Sequence, residues 1–352
     1  MSQSTDAPSL EAANQTGEFL GMKAVYSFVF PETRAVIAAF DAAFRPELMR
    51  VNTSAADVEQ FVHAHVSPAL VVPAAKGYAD LDSLAYPLTE RAAQIYTGLV
   101  EGLDEFPCRY PVAGSAEGLF HLYVNLARRG FETIRVLPGE YEGYGIQAAN
   151  VGLAVQTIPL EAAVARAPDQ RAVWFISSPS ARDGNQLPAG WLAALLEAGH
   201  QVVLDLAYVG ATAPQAISID HPGVLAVTMS LSKPYGLFRW RIGYVFSRGA
   251  IPSLYGSRWF GDLGRHLLGL KILEEIGPRR LYPRYVAAQR EIIAGLNRDG
   301  VPLAASDVLL LANLSPSEWG ELPENARALL SPFVRADRVR VCLTPYFEAR
   351  FP

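Results

Sequence analysis

The sequence predicts an α/β fold: a mostly parallel sheet held between helices, with a smaller α+β unit after it. Two patterns predict it. From about residue 110, short apolar runs alternate with helical stretches, and the runs are nearly continuous, as in strands covered on both faces. Beyond about residue 255 the alternation gives way to two long helical stretches and then two strand-like runs.

Taken in order, the chain opens on small polar residues, MSQSTDAPSLEAANQTGE, without the basic and apolar regions of a secretory leader. Residues 1–16 therefore read as a disordered tail. Residues 17–65 have no place in the alternating pattern and are expected to pack with the C-terminal unit. PVAGSAEGLFHLYVNLARR (111–129) sets Gly114-Ser115-Ala116 just before an amphipathic helix. TIRVLP (133–138), AVQTIPL (154–160), AVWFISSP (172–179), QVVLDLAY (201–208) and VLAVTMS (224–230) are strand-like, with a helix in LPAGWLAALLEAGH (187–200). WRIGYVFS (240–247) follows too soon for a helical crossover, which predicts an antiparallel strand. RHLLGLKILEEI and RLYPRYVAAQREIIAGLNRDG are helical, the second closed by Gly300, and DVLLLANL and RVRVCLTP are strands. The expected division is a large domain over 66–254 and a small one over 255–352.

Composition narrows the function classes. Half of the 352 residues are hydrophobic and 18% are charged, the balance of a well-buried, enzyme-like globule. A net charge of −5 without a basic cluster argues against nucleic acid as a partner. Cys108 and Cys342 lie far apart and form no metal-type spacing, which suggests a reducing compartment. No apolar run reaches the roughly 18 residues of a membrane span, so a cytoplasmic protein is expected.

In open parallel sheets ligands sit at the carboxyl ends of the strands. Polar residues collect there: Ser177 to Asn185 after one strand, Asp205 and Tyr208 after the next, then Ser230, Ser232 and Lys233. Bare amides at Gly114-Ser115-Ala116 suit a phosphate at a helix N-terminus, although the segment is neither a P-loop nor a dinucleotide fingerprint. Each residue also has an ordinary structural reading: Lys233 as a snorkelling or salt-bridged lysine, Asp205 as a strand-end cap, Tyr141 as a core aromatic, Arg340 as a solvated edge arginine.

It is the set that is recognisable. Ser230-Leu-Ser-Lys-Pro-Tyr-Gly-Leu-Phe-Arg-Trp-Arg241-Ile-Gly-Tyr244 resembles the lysine motif of the fold-type I pyridoxal-phosphate enzymes, the aspartate-aminotransferase-like family. Asp205-Leu-Ala-Tyr208, 28 residues upstream of the lysine, resembles that family's Asp-x-x-Tyr. Gly139-Glu-Tyr141-Glu-Gly-Tyr144 is similar to its Pro-x-Tyr-x-x-Tyr, and Val339-Arg340-Val-Cys-Leu343 to its carboxylate-binding arginine.

The resemblance implies a mostly parallel seven-stranded sheet, an enzyme and a homodimer with a shared active site. It implies pyridoxal 5′-phosphate carried as a Schiff base on Lys233, a form that needs a neutral amine; a partly desolvated cleft beside the cation of Arg241 favours one. Asp205 would keep the pyridine nitrogen protonated, Tyr208 would donate to the 3′-oxygen and Tyr141 would stack on the ring. Gly114, Ser115, Ala116, Ser230, Ser232 and Arg241 would hold the phosphate. Arg340 would bind the substrate α-carboxylate, and Tyr78 or Tyr86 would reach the phosphate of the other subunit.

The sequence also departs from the pattern. Ala181 stands where the family has an asparagine that bonds the 3′-oxygen; Asn185 and Arg182 are the nearby substitutes. Arg239 adds a guanidinium beside the phosphate arginine, and Glu140 and Glu142 flank Tyr141, by default as solvated loop charges. Two enzymatic readings follow: an aminotransferase of an amino acid, or a non-transaminating enzyme that eliminates, cyclises or oxidises. A non-enzymatic descendant is the third, opposed by the intact Lys233, Asp205, Tyr208 and Arg241.

Overall fold

The computed structural model describes residues 28–45, 48, 54–73, 84–255, 263–324, 327 and 333–352. Seven strands form the central sheet: β1 (Cys108–Val112), β2 (Thr133–Val136), β3 (Ala154–Thr157), β4 (Ala172–Ser177), β5 (Val202–Asp205), β6 (Val224–Ser230) and β7 (Gly243–Ser247). Their order is β1-β7-β6-β5-β4-β2-β3, and β7 alone runs against its neighbours. The α/β fold with a mostly parallel sheet is thus as the sequence predicts, including the antiparallel run after VLAVTMS.

Burial follows position in the sheet. Every residue of β4 and β5 is buried, whereas all four residues of β3, at the sheet edge, are exposed. The helix Ser115–Arg128 places Leu119, Leu122, Tyr123 and Leu126 on one face, the 3.6-residue spacing of an amphipathic helix. That face packs on Val112, Phe175 and Val245. Gly118 allows the close approach: a Cβ there would lie 2.3 Å from Val245 Cγ2. The opposite face of the sheet contributes Ile176, Leu204, Val227 and Met229 to a second core, shared with the helices Ala85–Ile95 and Leu263–Glu275.

β1 is a strand that the sequence reading did not assign. It carries Pro111 and the charged Arg109, so no apolar run announces it. As an edge strand it tolerates a proline that a central strand would not.

After the long helix Leu281–Arg298 comes a four-stranded antiparallel sheet of β8 (Ala304–Ala305), β9 (Leu311–Leu314), β10 (Val334–Arg335) and β11 (Arg338–Cys342), in the order β8-β9-β11-β10. The helix ends as its sequence suggests. Gly300 takes φ +87°, and Val301 N–H bonds the Leu296 carbonyl at 3.0 Å in a Schellman closure. Phe28 and Phe30 pack against Phe347 and Tyr285, with ring centroids 5.6 and 4.9 Å apart. Arg34 donates to the carbonyls of Phe351 and Pro352. The expected tail, 1–16, lies outside the described residues. No helix among the described residues is long and apolar enough to cross a membrane.

Candidate active site

Three neighbouring strands end beside one another. Asp205, the last residue of β5, pairs in register with Ser177 of β4 on one side and Thr228 of β6 on the other. The loops leaving these ends, the N-terminus of the helix Ser115–Arg128 and the small sheet enclose a cavity of about 470 Å³. Ser115, Ala116, Tyr141, Asp205 and Tyr208 line it, as do Ser230, Ser232, Lys233, Arg241 and Arg340. The residues to which the sequence gives a cofactor or substrate role within one subunit therefore share a wall, with one exception. The exception, Gly114, stands just behind it as the residue before the helix.

At the floor, Asp205 is 6% exposed. Tyr144 Oη donates to its Oδ2 at 3.0 Å, while Thr228 Oγ1 and the Ala207 N–H donate to Oδ1, each at 3.1 Å. Burial pushes the carboxyl above its usual range, against the opposing pull of Lys233 and of these donors. Lys233 Nζ lies 4.0 Å from the centroid of the Tyr208 ring.

One end of the cavity is an anion cup. Gly114 takes φ +77° and ψ 164°, which turns the chain so that the helix presents the first amides, at Ser115 and Ala116, to the cavity. Arg241 Nη2 donates to the Ala113 carbonyl at 3.1 Å, and Nη1 reaches Ser232 Oγ at 3.5 Å. Burial draws the pKa of this guanidinium down. Ser230 Oγ accepts from the Ser232 N–H at 3.2 Å, which ties the two serines together.

At the other end Arg340 donates to the Ala181 carbonyl and, at 3.4 Å, to Tyr208 Oη. Tyr141 is exposed, edge-on to Tyr144 at 5.5 Å and 87°. Phe333, Arg335 and Cys342 complete this wall from the small sheet, and the sequence reading gave none of them a role there. Arg335 pairs with Glu142.

The structure corrects the default reading of Glu140. It is not a solvated loop charge but a buried carboxyl, 7% exposed and bonded to Ser177. Neither substitute for the missing asparagine lies on the cavity wall. Asn185 accepts from the Asp307 N–H at 3.1 Å, and Arg182 pairs with Asp337. Arg239 is exposed and off the wall, and so is Tyr86, whose ring meets Arg109 at 5.1 Å. Tyr78 lies outside the described residues. Tyr144 and Thr228, which hold Asp205, were given no role; the i, i+3 spacing from Tyr141 and the strand register were the signals available for them.

The family model for aminotransferase class I and II matches residues 81–257. The chain belongs to this family, and it is an enzyme. A histidinol-phosphate aminotransferase of Vibrio campbellii is 29% identical over 148 residues, 38% of this chain and 42% of that protein, so the match spans less than half of the relative. YbdL of Escherichia coli, a methionine aminotransferase, is 16% identical with a TM-score of 0.63 and 99% of each chain covered. A C-S lyase of Staphylococcus hominis, solved with pyridoxal phosphate bound, is 12% identical with a TM-score of 0.58, over 75% of this chain and 78% of that one. At these identities the two structures show the fold.

Membership of this class implies pyridoxal phosphate, and the residues present fit it. The cup beside the helix offers amides, hydroxyls and a guanidinium to a phosphate, and a Cβ on Gly114 would fill it, 2.5 Å from Arg241 Nη2. Asp205 offers a buried carboxyl to a ring nitrogen, and Lys233 brings an amine to the same cavity.

Proposed function

We propose that this chain is a pyridoxal-phosphate-dependent aminotransferase of an amino acid, with Lys233 carrying the cofactor as a Schiff base. The observation that carries this reading is the convergence of Lys233, Asp205, Arg241 and Arg340 on one cavity. When bound, pyridoxal phosphate supplies a sink for the electron pair left when a substrate Cα loses its proton.

The chain's own residues do the rest. Lys233 Nζ would take the proton from the substrate Cα and hold it for return. Asp205, held by Tyr144 and Thr228, keeps a proton on the ring nitrogen. Tyr208 Oη would serve the phenolic oxygen, and the exposed ring of Tyr141 would cover the cofactor. The amides of Ser115 and Ala116 bind phosphate together with Ser230, Ser232 and Arg241; Gly114 gives them room. Arg340 takes the substrate α-carboxylate through two parallel hydrogen bonds. The proposal includes a homodimer in which Tyr78 or Tyr86 of the partner subunit reaches the phosphate.

A second reading keeps the same residues but releases product without transferring the amine. The observation in its favour is Ala181, which brings no side-chain donor to the phenolic oxygen. The test offers the loaded enzyme a panel of amino acids with and without a keto-acid acceptor. Keto acid formed in step with amination of the acceptor supports transamination. Ammonia released without any acceptor moves the assignment to elimination, cyclisation or oxidation.

A further inference from the structure

Behind Tyr141 lies a carboxyl that the proposed chemistry does not use. Glu140 Oε1 accepts from the Ser177 N–H at 3.0 Å and Oε2 from Ser177 Oγ at 2.5 Å, and the Tyr141 N–H donates as well. Burying a carboxylate is costly unless donors surround it, so this one is held for a reason that packing alone does not supply. The Ser177 hydroxyl carries the contact onward: it accepts from the Ala181 N–H at 2.6 Å. The carbonyl of the same Ala181 then accepts from Arg340 Nη1, the nitrogen that also reaches Tyr208.

A chain of hydrogen bonds thus runs from the segment bearing Tyr141, through the end of β4, to the arginine at the far wall. Ala181 has no polar side chain, so its backbone carbonyl is what this loop offers Arg340. The place of that carbonyl is set by the N–H that Ser177 grips.

We propose that Glu140 and Ser177 are positioning residues for Arg340, fixing the Ala181 carbonyl that steers the guanidinium toward the carboxylate of an amino-acid substrate. This inference rests on the functional reading above. The alternative is that the Glu140–Ser177 contact simply ties two segments together, with no bearing on carboxylate recognition.

Two oxyamine probes separate these without knowledge of the substrate. Aminooxyacetate and methoxyamine both attack the cofactor's imine carbon, where their nitrogen replaces that of Lys233 and frees the lysine amine. Only aminooxyacetate presents a carboxylate. Rates are read from loss of the visible band of cofactor-loaded protein at pH 8, for wild type, Ser177→Ala, Glu140→Gln, Arg340→Lys and the double variants.

The expected result is a roughly tenfold slower reaction of Ser177→Ala and Glu140→Gln with aminooxyacetate, the scale of one lost hydrogen bond to a charged group. Methoxyamine rates stay within about twofold, and adding Arg340→Lys to either variant brings no further loss, as coupled residues require. A second readout needs no cofactor: in a crystal structure of unloaded Ser177→Ala, the Arg340 guanidinium leaves the Ala181 carbonyl. Equal slowing with both probes, unchanged rates, or losses that add to that of Arg340→Lys overturn the proposal. Should Glu140→Gln not fold, Ser177→Ala decides alone. A wild-type protein that shows no cofactor band overturns the functional reading itself, an outcome distinct from all of these.

Discussion

Replacing Gly114 with alanine strikes the anion cup at two points. At φ +77° and ψ 164° the residue sits in a region that is essentially glycine's own, so any side chain there adds roughly 1–3 kcal/mol of strain. The new Cβ would also lie 2.5 Å from Arg241 Nη2 and 2.8 Å from its Cζ. Neither distance is tolerable, and the guanidinium is the part that can move. In moving it gives up the Ala113 carbonyl at 3.1 Å and its aim into the cup. A charge-assisted hydrogen bond to phosphate is worth about 1.5–3 kcal/mol, so Gly114→Ala is expected to weaken pyridoxal phosphate binding roughly 10- to 150-fold. Titration of cofactor-free protein, followed by absorbance, gives the Kd, and urea unfolding gives the stability. A Kd within threefold of wild type alongside a stable protein would refute both the cup and the role given to Arg241.

Two further variants test the buried carboxyls of Glu140 and Asp205. Burial holds the Glu140 carboxyl at a pKa of about 7, above its ordinary 4.5. Between those values the unfolded chain releases a proton that the folded chain keeps, so stability falls as pH rises from 4.5 and levels off above 7. Relative to wild type, Glu140→Gln is expected to gain up to about 3 kcal/mol in urea unfolding on going from pH 4.5 to 8. A difference independent of pH would show that the carboxyl is not so perturbed. Tyr144→Phe removes the donor 3.0 Å from Asp205 Oδ2 and should push that carboxyl further above its usual range. We expect kcat to fall roughly tenfold with the fold intact, checked by steady-state kinetics and circular dichroism; unchanged kcat would remove Tyr144 from the account.

How far the sequence could be read depended on where its signals lay. β6 spans the residues expected of it because a strand covered on both faces must be largely apolar. β1 escaped notice because its proline and charged arginine leave no such run; only its pairing with β7 makes it a strand. The place of Lys233, Asp205 and Tyr208 on the cavity wall was legible because strand ends supply their short motifs. Glu140 was not, since a glutamate between glycine and tyrosine looks like a loop charge, and Ser177 is 37 residues away. Phe333, Arg335 and Cys342 reach the cavity because the small sheet packs there, with Val308, Leu311 and Cys342 against Tyr208 and Ala211. That contact is tertiary, and no local spacing encodes it.

The central claim is that Lys233 carries the cofactor, and the chain makes it easy to test. It has four lysines: Lys23, Lys76, Lys233 and Lys271. Reducing the loaded protein with borohydride converts an imine into a stable amine, and peptide mass spectrometry then locates the label. The account predicts the phosphopyridoxyl group on Lys233 and its loss in Lys233→Ala. A label on Lys23, Lys76 or Lys271, or on no lysine at all, would contradict it.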